Sequence, residues 1–147
     1  MSRPVRVAVR AILMRGGKLC LVNAWPEGKG DILCCPGGGV EPKSSLPDNL
    51  KREVWEETGI QIDVGAPCLV NEFHDPGSDY HQTEVFFHAS VLNEPPAEWT
   101  DREGIVTDIR WVTEAEIATL RARPASLAAV AWGGASMIYD PLEPILR

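Results

Sequence analysis

The chain has 147 residues, of which 44% are hydrophobic and 24% are charged, and its formal net charge is −7. This length and composition are ordinary for a globular protein, so residues 1–147 are expected to form a single domain with a core of its own. The acidic excess argues against a nucleic-acid polymer or an anionic membrane as partner. It does not exclude a small anionic substrate, because a bound cation reverses the local field.

Three strands are predicted in the first quarter of the chain. Apolar residues alternate with polar ones over 5–13, which is typical of a half-buried strand. Gly16-Gly17 predicts a tight turn into a second strand over 19–22, so the two strands should form a hairpin. A loop rich in Pro and Gly over 25–31 then leads to a short third strand over 32–35.

A glycine-rich segment runs from this third strand toward the most acidic part of the chain. Gly37–Gly39 are consecutive glycines, which lets the backbone approach a ligand closely as a loop. Ser44 or Ser45 can cap a helix that follows, and Pro47 suits its first turn. Main-chain N–H groups for a phosphate and acidic side chains for a metal would then face one another.

The helix predicted over REVWEETG carries glutamates at the end where a helix disfavours them. Glu53, Glu56 and Glu57 have i, i+3, i+4 spacing and share one face, and Gly59 marks the C-terminal end. Each charge there costs about 0.3–1 kcal/mol against the helix macrodipole. Arg52, four residues before Glu56, can brace it. A divalent cation, which takes oxygen ligands, is the best partner, and a solvated acidic face is the alternative.

The rest of the chain is predicted to mix strands, loops and one helix. The predicted strands cover residues 60–64, 68–74, 83–92 and 105–112. Thr113 and Glu116 form a capping box that opens a helix to about Arg121. The mixture of Pro, Gly and apolar residues from Pro124 onward predicts no regular element. Strands interspersed with helices indicate an α/β fold.

The cysteines indicate a reducing compartment. None of the four, at positions 20, 34, 35 and 68, belongs to a CxxC pair, so a zinc site is not expected. Cys34 and Cys35 are adjacent, which is a poor geometry for a disulfide. We therefore expect free thiols in a cytoplasmic protein. Arginines interrupt the apolar N-terminal segment, and no stretch approaches the length of a membrane span.

The 23 residues from Gly38 to Ile60 resemble the signature of the Nudix hydrolase family. That signature reads G, five residues, E, seven residues, REUxEExGU, where U is a bulky aliphatic residue. Gly38 opens the pattern. The later positions are filled at the correct spacing by Arg52, Glu53, Val54, Glu56, Glu57, Gly59 and Ile60. The resemblance implies the Nudix α/β/α sandwich with a mixed central sheet.

Two positions depart from the family pattern. Ser44 stands where the family has its first glutamate, and Asn49 stands where a small apolar residue is usual. In the family that glutamate is more peripheral than those on the helix. Its loss therefore bears on the number of metal ions and the turnover rate more than on the fold. Glu41 is close enough in the sequence to compensate.

The resemblance also implies a divalent-metal-dependent hydrolase that cleaves a pyrophosphate bond. Mg²⁺ or Mn²⁺ would neutralise the diphosphate and lower the pKa of a bound water. The implied metal ligands are Glu53, Glu56, Glu57 and the carbonyl of Gly37 or Gly38. Arg52 would orient the carboxylates rather than bind the metal.

The catalytic base and the substrate contacts have several candidates. Glu53 is the first candidate for the base that activates water. Some family members take the base from a later loop, which here points to Asp79 or Glu84, and both are also candidates for substrate contact. Gly38 and Gly39 would meet a phosphate through the main chain.

A small nucleotide is the expected substrate, because the family hydrolyses nucleoside diphosphates linked to another group. ADP-ribose and nucleoside triphosphates are both open. Pro76 lies sixteen positions after Ile60, a spacing found in some members that act on ADP-ribose. Trp25, Tyr80 and Trp99 fall in predicted loops and are candidates for stacking on a base.

Two other interpretations stay open. Ser44 in place of a glutamate allows a catalytically weakened Nudix-like module that senses a nucleotide, although the intact REVWEE run opposes it. A structural acidic helix without a ligand is the other, and the otherwise complete signature opposes that. Homodimers are frequent in the family, so a homodimer is the expected assembly.

Overall fold

A mixed sheet of eight strands organises residues 3–147, the part of the chain that the computed structural model describes. The strands are β1 (Arg6–Arg15), β2 (Lys18–Asn23), β3 (Leu33–Cys34), β4 (Gly37–Gly39), β5 (Ile62–Asp75), β6 (Tyr80–Val91), β7 (Ile109–Val112) and β8 (Ile138–Pro144). The helices are α1 (Leu46–Thr58), α2 (Glu114–Ile117) and α3 (Leu127–Ala131). Within these described residues, no helix has the length and apolar character needed to cross a membrane.

The sheet is mixed because its centre is parallel. Its main path runs β3-β2-β1-β6-β5-β8, while β4 pairs with β1 and β7 pairs with β2. The pairs β1–β6 and β5–β8 are parallel, and the other pairs between named strands are antiparallel. Strand β1 therefore lies between the parallel partner β6 and the two antiparallel partners β2 and β4.

Each face of the sheet buries an apolar cluster, because successive side chains of a strand point to opposite faces. The cluster beneath α1 includes Val9, Ala11, Leu13, Leu50 and Val54. The cluster on the other face includes Ile12, Phe86, Leu127 and Val130, of which the last two belong to α3. Helices on both faces confirm the predicted α/β/α sandwich with a mixed central sheet.

Both ends of α1 are set by local sequence. The Ser45 hydroxyl oxygen accepts the Asp48 N–H at 3.1 Å, and Pro47 lies in the first turn. At the other end Gly59 has a φ of 71°, and its N–H donates to the Trp55 carbonyl. The predicted helix is confirmed, with Ser45 rather than Ser44 as its cap, and its three glutamates fall in the last two turns.

The largest differences from the sequence-based expectations are three, and β6 also begins early, at Tyr80, which was expected in a loop. Strand β5 is continuous across 62–75, with an irregular register on either side of Pro67 instead of a break. Strand β7 begins only at Ile109, because the Asn23 side chain accepts the N–H groups of Thr107 and Asp108 and keeps that segment as a loop. Helix α2 ends at residue 117, well before the predicted end.

The tail, for which no element was predicted, forms α3 and the edge strand β8. Strand β8 pairs in parallel with β5. Tyr139 and Leu142 of this strand remain exposed. A buried apolar face, which is the pattern that reveals a strand in a sequence, is therefore missing from β8.

Candidate active site

Helix α1 directs two of its glutamates at the glycine strand β4. The Gly37 N–H donates a hydrogen bond of 2.8 Å to Glu57 Oε1. The Glu53 carboxylate lies against Gly38, where an added Cβ would stand only 2.4 Å from Glu53 Oε2. The carboxylates of two successive helical turns thus converge on one short strand. The Glu53 carboxylate can lie this close to the backbone because Gly38 has no side chain.

The glycine segment is a strand, so the expectation of a loop over these residues was wrong. Gly37–Gly39 form β4, which pairs antiparallel with β1. At Gly37 the φ is 153° and an added Cβ would lie 1.9 Å from the Val9 carbonyl oxygen. Packing against β1 therefore requires glycine at this position. The contacts of Gly38 and Gly39 with a phosphate stay predictions.

Burial changes the titration of Glu57. Removal of the carboxylate from water raises its pKa to about 7, and the nearby charges of Glu53 and Asp101 act in the same direction. The Arg10 guanidinium and the Gly37 N–H oppose this increase without cancelling it. A cation bound beside Glu57 would stabilise the ionised form.

Arg52 is surrounded by acceptors. One of its terminal nitrogens lies 3.0 Å from Glu53 Oε1, 3.5 Å from Glu56 Oε2 and 3.9 Å from Glu41 Oε1. The other donates to Asn49 Oδ1 at 2.9 Å. Even so, burial raises the pKa of Glu53 above its usual range. A single arginine therefore does not offset the negative charge that α1 gathers here.

Glu84 lies inside the molecule and is paired with Arg10. Its Oε2 is 2.5 Å from Arg10 Nε, and both side chains are largely buried. The same guanidinium donates to the carbonyl oxygens of Cys35 at 3.1 Å and Gly37 at 3.3 Å. Arg10 thus connects Glu84 on β6 to the backbone of the glycine strand.

A cavity of about 210 Å³ opens beside this ion pair. Its lining includes the aromatic residues Trp25, Phe73 and Tyr80, the polar residues Asn71, Gln82 and Glu84, and the cationic residues Arg6, Arg10 and Arg123. Aromatic walls with a few convergent polar groups are typical of a site for a small organic ligand. Two of the three predicted stacking residues, Trp25 and Tyr80, are therefore in a cavity wall.

The last residues of the chain complete this cavity. The Trp25 indole N–H donates to the Leu146 carbonyl at 2.8 Å, and the Arg147 guanidinium lies 4.6 Å from the centre of the Trp25 ring. Ile145 and Leu146 both line the cavity. Sequence patterns could not have revealed this contact, because it joins segments more than a hundred residues apart.

Two residues singled out in the sequence have other contacts. Asp79 lies in the turn between β5 and β6, where its carboxylate accepts the Arg3 main-chain N–H at 2.5 Å. Trp99 covers the end of α1 rather than standing free in a loop. Its indole N–H donates to the Glu56 carbonyl at 2.9 Å, and its ring packs edge-on against Trp55 at 4.9 Å.

The loop between β6 and β7 brings two further carboxylates to α1, and neither was predicted from the sequence. Asp101 is buried, and its carboxylate accepts the N–H groups of Glu103 at 3.1 Å and Val106 at 2.9 Å. Asp101 is close enough to raise the pKa of Glu57, and Glu103 that of Glu53. A later loop was expected to contribute, but nothing in the sequence spacing singled out this one.

The donors around α1 suit a hard cation. Glu53, Glu56, Glu57 and the Gly37 carbonyl offer oxygen ligands, as Mg²⁺ and Mn²⁺ prefer. Within residues 3–147, no three His, Cys, Asp or Glu side chains are already arranged around one point. The raised pKa values of Glu53 and Glu57 mean that a cation would be bound in exchange for protons. The residues therefore fit the metal by chemistry, and binding would require their side chains to reorient.

Comparison with known proteins agrees with this geometry. The NUDIX domain family model matches residues 4–133. A NUDIX hydrolase from Nitrosomonas europaea has a TM-score of 0.75 at 22% identity, covering 91% of this chain and 93% of that one. A MutT protein from Methanosarcina mazei Go1 has a TM-score of 0.68 at 23% identity, with 87% and 91% covered. An ADP-ribose pyrophosphatase from Streptococcus suis 89-1591 has a TM-score of 0.67 at 18% identity, with 93% and 100% covered.

The chain belongs to the Nudix family, and it is a hydrolase of that family. This confirms the identification made from the segment between Gly38 and Ile60. The similarity to solved structures lies below 25% identity and shows the shared fold.

Proposed function

We propose that this protein is a divalent-metal-dependent hydrolase that cleaves the pyrophosphate bond of a nucleoside diphosphate linked to another group. The observation that carries the proposal is the convergence of Glu53 and Glu57 on the glycine strand, with pKa values raised by burial. Carboxylates in such a position are costly to ionise without a cation. A site that gathers them next to a cavity is suited to a metal-bound diphosphate.

The residues proposed to hold Mg²⁺ or Mn²⁺ are Glu53, Glu56, Glu57 and the main-chain carbonyl of Gly37. When bound, such an ion offsets the charge of the diphosphate and lowers the pKa of a coordinated water. The Gly37 carbonyl accepts a long hydrogen bond of 3.3 Å from Arg10, and a carbonyl oxygen has a second lone pair for a metal. Arg52, which contacts both Glu53 and Glu56, is proposed to orient them.

Glu53 is proposed as the base that takes a proton from the attacking water. Its carboxylate lies against Gly38, among the oxygen atoms proposed to hold the ion, so it would be next to a coordinated water. Glu103 is the alternative from a later loop, because its charge acts on Glu53. It replaces Asp79 in that role, since the Asp79 carboxylate is engaged by the main chain of Arg3. The rate on removing each carboxylate would decide between Glu53 and Glu103.

The cavity beside Arg10 is proposed to hold the nucleoside part of the substrate. Trp25 and Tyr80 offer aromatic faces for a base, with stacking worth about 1–3 kcal/mol per base. Glu84 uses its Oε2 for Arg10 and Gln82, which leaves Oε1 to accept an N–H from the ligand. Glu84 is therefore proposed to contact the substrate rather than to act as the base.

ADP-ribose-like compounds and nucleoside triphosphates both remain within the proposal. Proteins of similar fold include one described as an ADP-ribose pyrophosphatase and one described as a MutT protein. Pro76, whose spacing suggested ADP-ribose, lies in the turn between β5 and β6 that also contains Asp79. This turn precedes the cavity residue Tyr80, so the position is compatible with a contact to the distal part of a long substrate.

A substrate panel tests the proposal. ADP-ribose, nucleoside triphosphates and dinucleoside polyphosphates should each be incubated with the protein and Mg²⁺, and products followed by ³¹P NMR and ion-exchange chromatography. Hydrolysis of at least one compound, abolished by EDTA and restored by Mn²⁺, is expected. Binding without turnover across the whole panel would instead indicate the nucleotide-sensing module.

The same substrate panel tests whether the nucleoside binds in the cavity beside Arg10. Trp25→Ala should raise KM for the preferred compound, because it removes an aromatic wall of the cavity. Trp132→Ala is the matched control, since the Trp132 indole bonds the Gly17 carbonyl in the turn between β1 and β2. An unchanged KM in Trp25→Ala would remove the cavity from the proposal.

Three broader properties are part of the same proposal. Residues 1–147 form one Nudix domain, which the match over 4–133 supports. The protein is cytoplasmic, which its four free cysteines support. Two chains associate as a homodimer, for which sedimentation velocity on the purified protein is the direct measurement.

A further inference from the structure

Asn49 is a buried polar residue in the first turns of α1, at a position where the family signature usually has a small apolar residue. It is only 1% exposed. Its Oδ1 accepts the Glu41 N–H and an Arg52 N–H, each at 2.9 Å. Its Nδ2 donates to the carbonyl oxygens of Ser45 at 2.9 Å and Ser44 at 3.2 Å. Both the oxygen and the nitrogen of the Asn49 amide therefore have hydrogen-bond partners. One of these partners is Arg52, which belongs to the candidate active site.

The hydrogen bond between Arg52 and Asn49 fixes one of the two terminal nitrogens of the rigid guanidinium group. A guanidinium is planar and presents its N–H donors in a fixed fork. One terminal nitrogen is held by Asn49, and the other donates to Glu53 Oε1 at 3.0 Å. The direction of the first bond therefore sets where the second can point.

Apart from Glu53, the other partners of Arg52 hold it less firmly, and Glu56 Oε2, the nearer of them, is 3.5 Å away and partly exposed. The Glu41 carboxylate is 70% exposed and lies 3.9 Å away, which is a weak arrangement for an ion pair. Ser44 has no carboxylate to offer. Asn49 is the buried partner of the arginine, and its own position is fixed by the backbone of the segment that leads into α1.

We propose that Asn49 is a positioning residue of this hydrolase: it holds Arg52, and Arg52 in turn directs Glu53 toward the glycine strand. This inference rests on the proposed function, because Glu53 is taken as a metal ligand. The amide supplies the anchor for the arginine in a chain that lacks the first signature glutamate. Residues that orient a metal ligand in this way typically contribute roughly 10- to 100-fold to metal affinity or activity.

Two substitutions separate positioning from support of the backbone. Asn49→Ala removes every side-chain contact, whereas Asn49→Asp keeps an oxygen for Arg52 and loses the N–H donors to Ser44 and Ser45. We expect Asn49→Ala to lower kcat and the Mn²⁺ affinity roughly 10- to 100-fold with KM nearly unchanged. Asn49→Asp should keep kcat and the Mn²⁺ affinity within a few fold of the wild-type values. Its melting temperature should nevertheless fall, because the N–H donors to Ser44 and Ser45 are lost.

The control is an asparagine that supports the other end of the same helix. Asn93 donates to the Gly59 carbonyl at 3.2 Å and accepts the Gln61 N–H at 2.9 Å. Asn93→Ala should lower the melting temperature while leaving kcat and Mn²⁺ affinity unchanged. If Asn49→Ala behaved like Asn93→Ala, or if Asn49→Asp lost as much function as Asn49→Ala, the positioning role would be refuted.

A coupling measurement completes the test without any substrate. Mn²⁺ affinity, read by EPR of the free ion, should fall in Asn49→Ala and in Arg52→Ala, and the double variant should be no weaker than Arg52→Ala. Additive losses would show that Asn49 acts by another route. Because this readout needs no turnover, it would still decide the role of Asn49 if no nucleotide in the panel were hydrolysed.

Discussion

The Gly37 N–H donates to the Glu57 carboxylate across 2.8 Å and so ties the last turn of α1 to the glycine strand. Strand β4 is itself paired with β1, so the helix end, the short strand and the centre of the sheet form one connected unit. Glu57 is held in a partly buried position, and burial raises its pKa to about 7 even though the hydrogen bond from Gly37 acts to lower it.

Metal-free protein is expected to lose stability as the pH rises from about 4.5 to about 7. In the folded chain the Glu57 carboxyl keeps its proton up to about pH 7, whereas an ordinary glutamate releases it near 4.5. Between these values the folded state binds the extra proton, so the free energy of unfolding falls with rising pH. At about 1.4 kcal/mol per pH unit over this window, the loss is at most about 3.5 kcal/mol.

Urea denaturation in EDTA between pH 4 and pH 8 measures this decline. Glu57→Gln should flatten the dependence, because the neutral amide cannot titrate. Glu27→Gln, in an exposed loop, serves as the control and should leave the decline in place. The same decline in wild type and Glu57→Gln would show that another group is responsible.

Replacing single carboxylates of α1 is expected to abolish most turnover without unfolding the chain. Glu56→Gln and Glu57→Gln each remove a charge from a proposed metal ligand and should lower kcat by roughly 10²-fold or more, about 3 kcal/mol in the barrier. Lys51→Gln, on the exposed face of the same helix, is the control. Steady-state kinetics with circular dichroism gives both quantities, and a Glu56→Gln enzyme as active as wild type would contradict the ligand assignment.

Gly38→Ala is expected to damage catalysis more than stability. The added methyl would lie 2.4 Å from Glu53 Oε2, which is the mobile end of a side chain, so the carboxylate moves instead of the backbone. Displacement of a reacting group by about 1 Å can cost roughly 10²-fold in rate. Gly77→Ala, whose methyl would meet its nearest neighbour at 3.4 Å, is the control. Equal kcat values for the two variants would argue against a role for the approach of Glu53 to Gly38.

The Arg10–Glu84 pair is expected to act as one unit in stability. Arg10→Met leaves a largely buried carboxylate without its partner and should cost about 3 kcal/mol or more. The double variant Arg10→Met/Glu84→Gln should cost less than the sum of the single variants. Urea denaturation supplies all three values, and strict additivity would mean that the two charges do not interact.

An exposed pair provides the matched comparison. Arg15 and Glu94 lie 2.7 Å apart, but their side chains are 46% and 83% exposed. Solvent screens such pairs, so Arg15→Met should cost less than about 1 kcal/mol. Similar losses of unfolding free energy in Arg10→Met and Arg15→Met would show that burial does not strengthen the Arg10–Glu84 pair.

Helix α1 could be predicted from the sequence because its determinants are local. Ser45 at the start, Gly59 at the end and the spacing of the glutamates act within one helical segment, and all three appear in the structure as expected. The α/β class followed in the same way from strands mixed with helices. Local signals of this kind do not depend on what the rest of the chain does.

The parts that escaped prediction depend on distant partners. Gly37–Gly39 look like a loop in isolation, and pairing with β1 makes them a strand. Strand β8 exists because β5 offers it an edge, although its own side chains give no buried pattern. The charge of Glu103 raises the pKa of Glu53 from the loop between β6 and β7, in which the buried Asp101 accepts the Glu103 N–H. None of these relationships produces a periodic pattern in the sequence.

The parallel pairing of β1 with β6 has a consequence for synthesis of the chain. Arg6 lies opposite Gln82, and 76 residues separate them along the sequence. Contacts of such long range slow folding, because a large loop must close before they form. While a ribosome is still making the middle of the chain, Val9 and Ala11 have no parallel neighbour to cover their strand. The nascent protein is therefore most exposed to aggregation before β6 emerges.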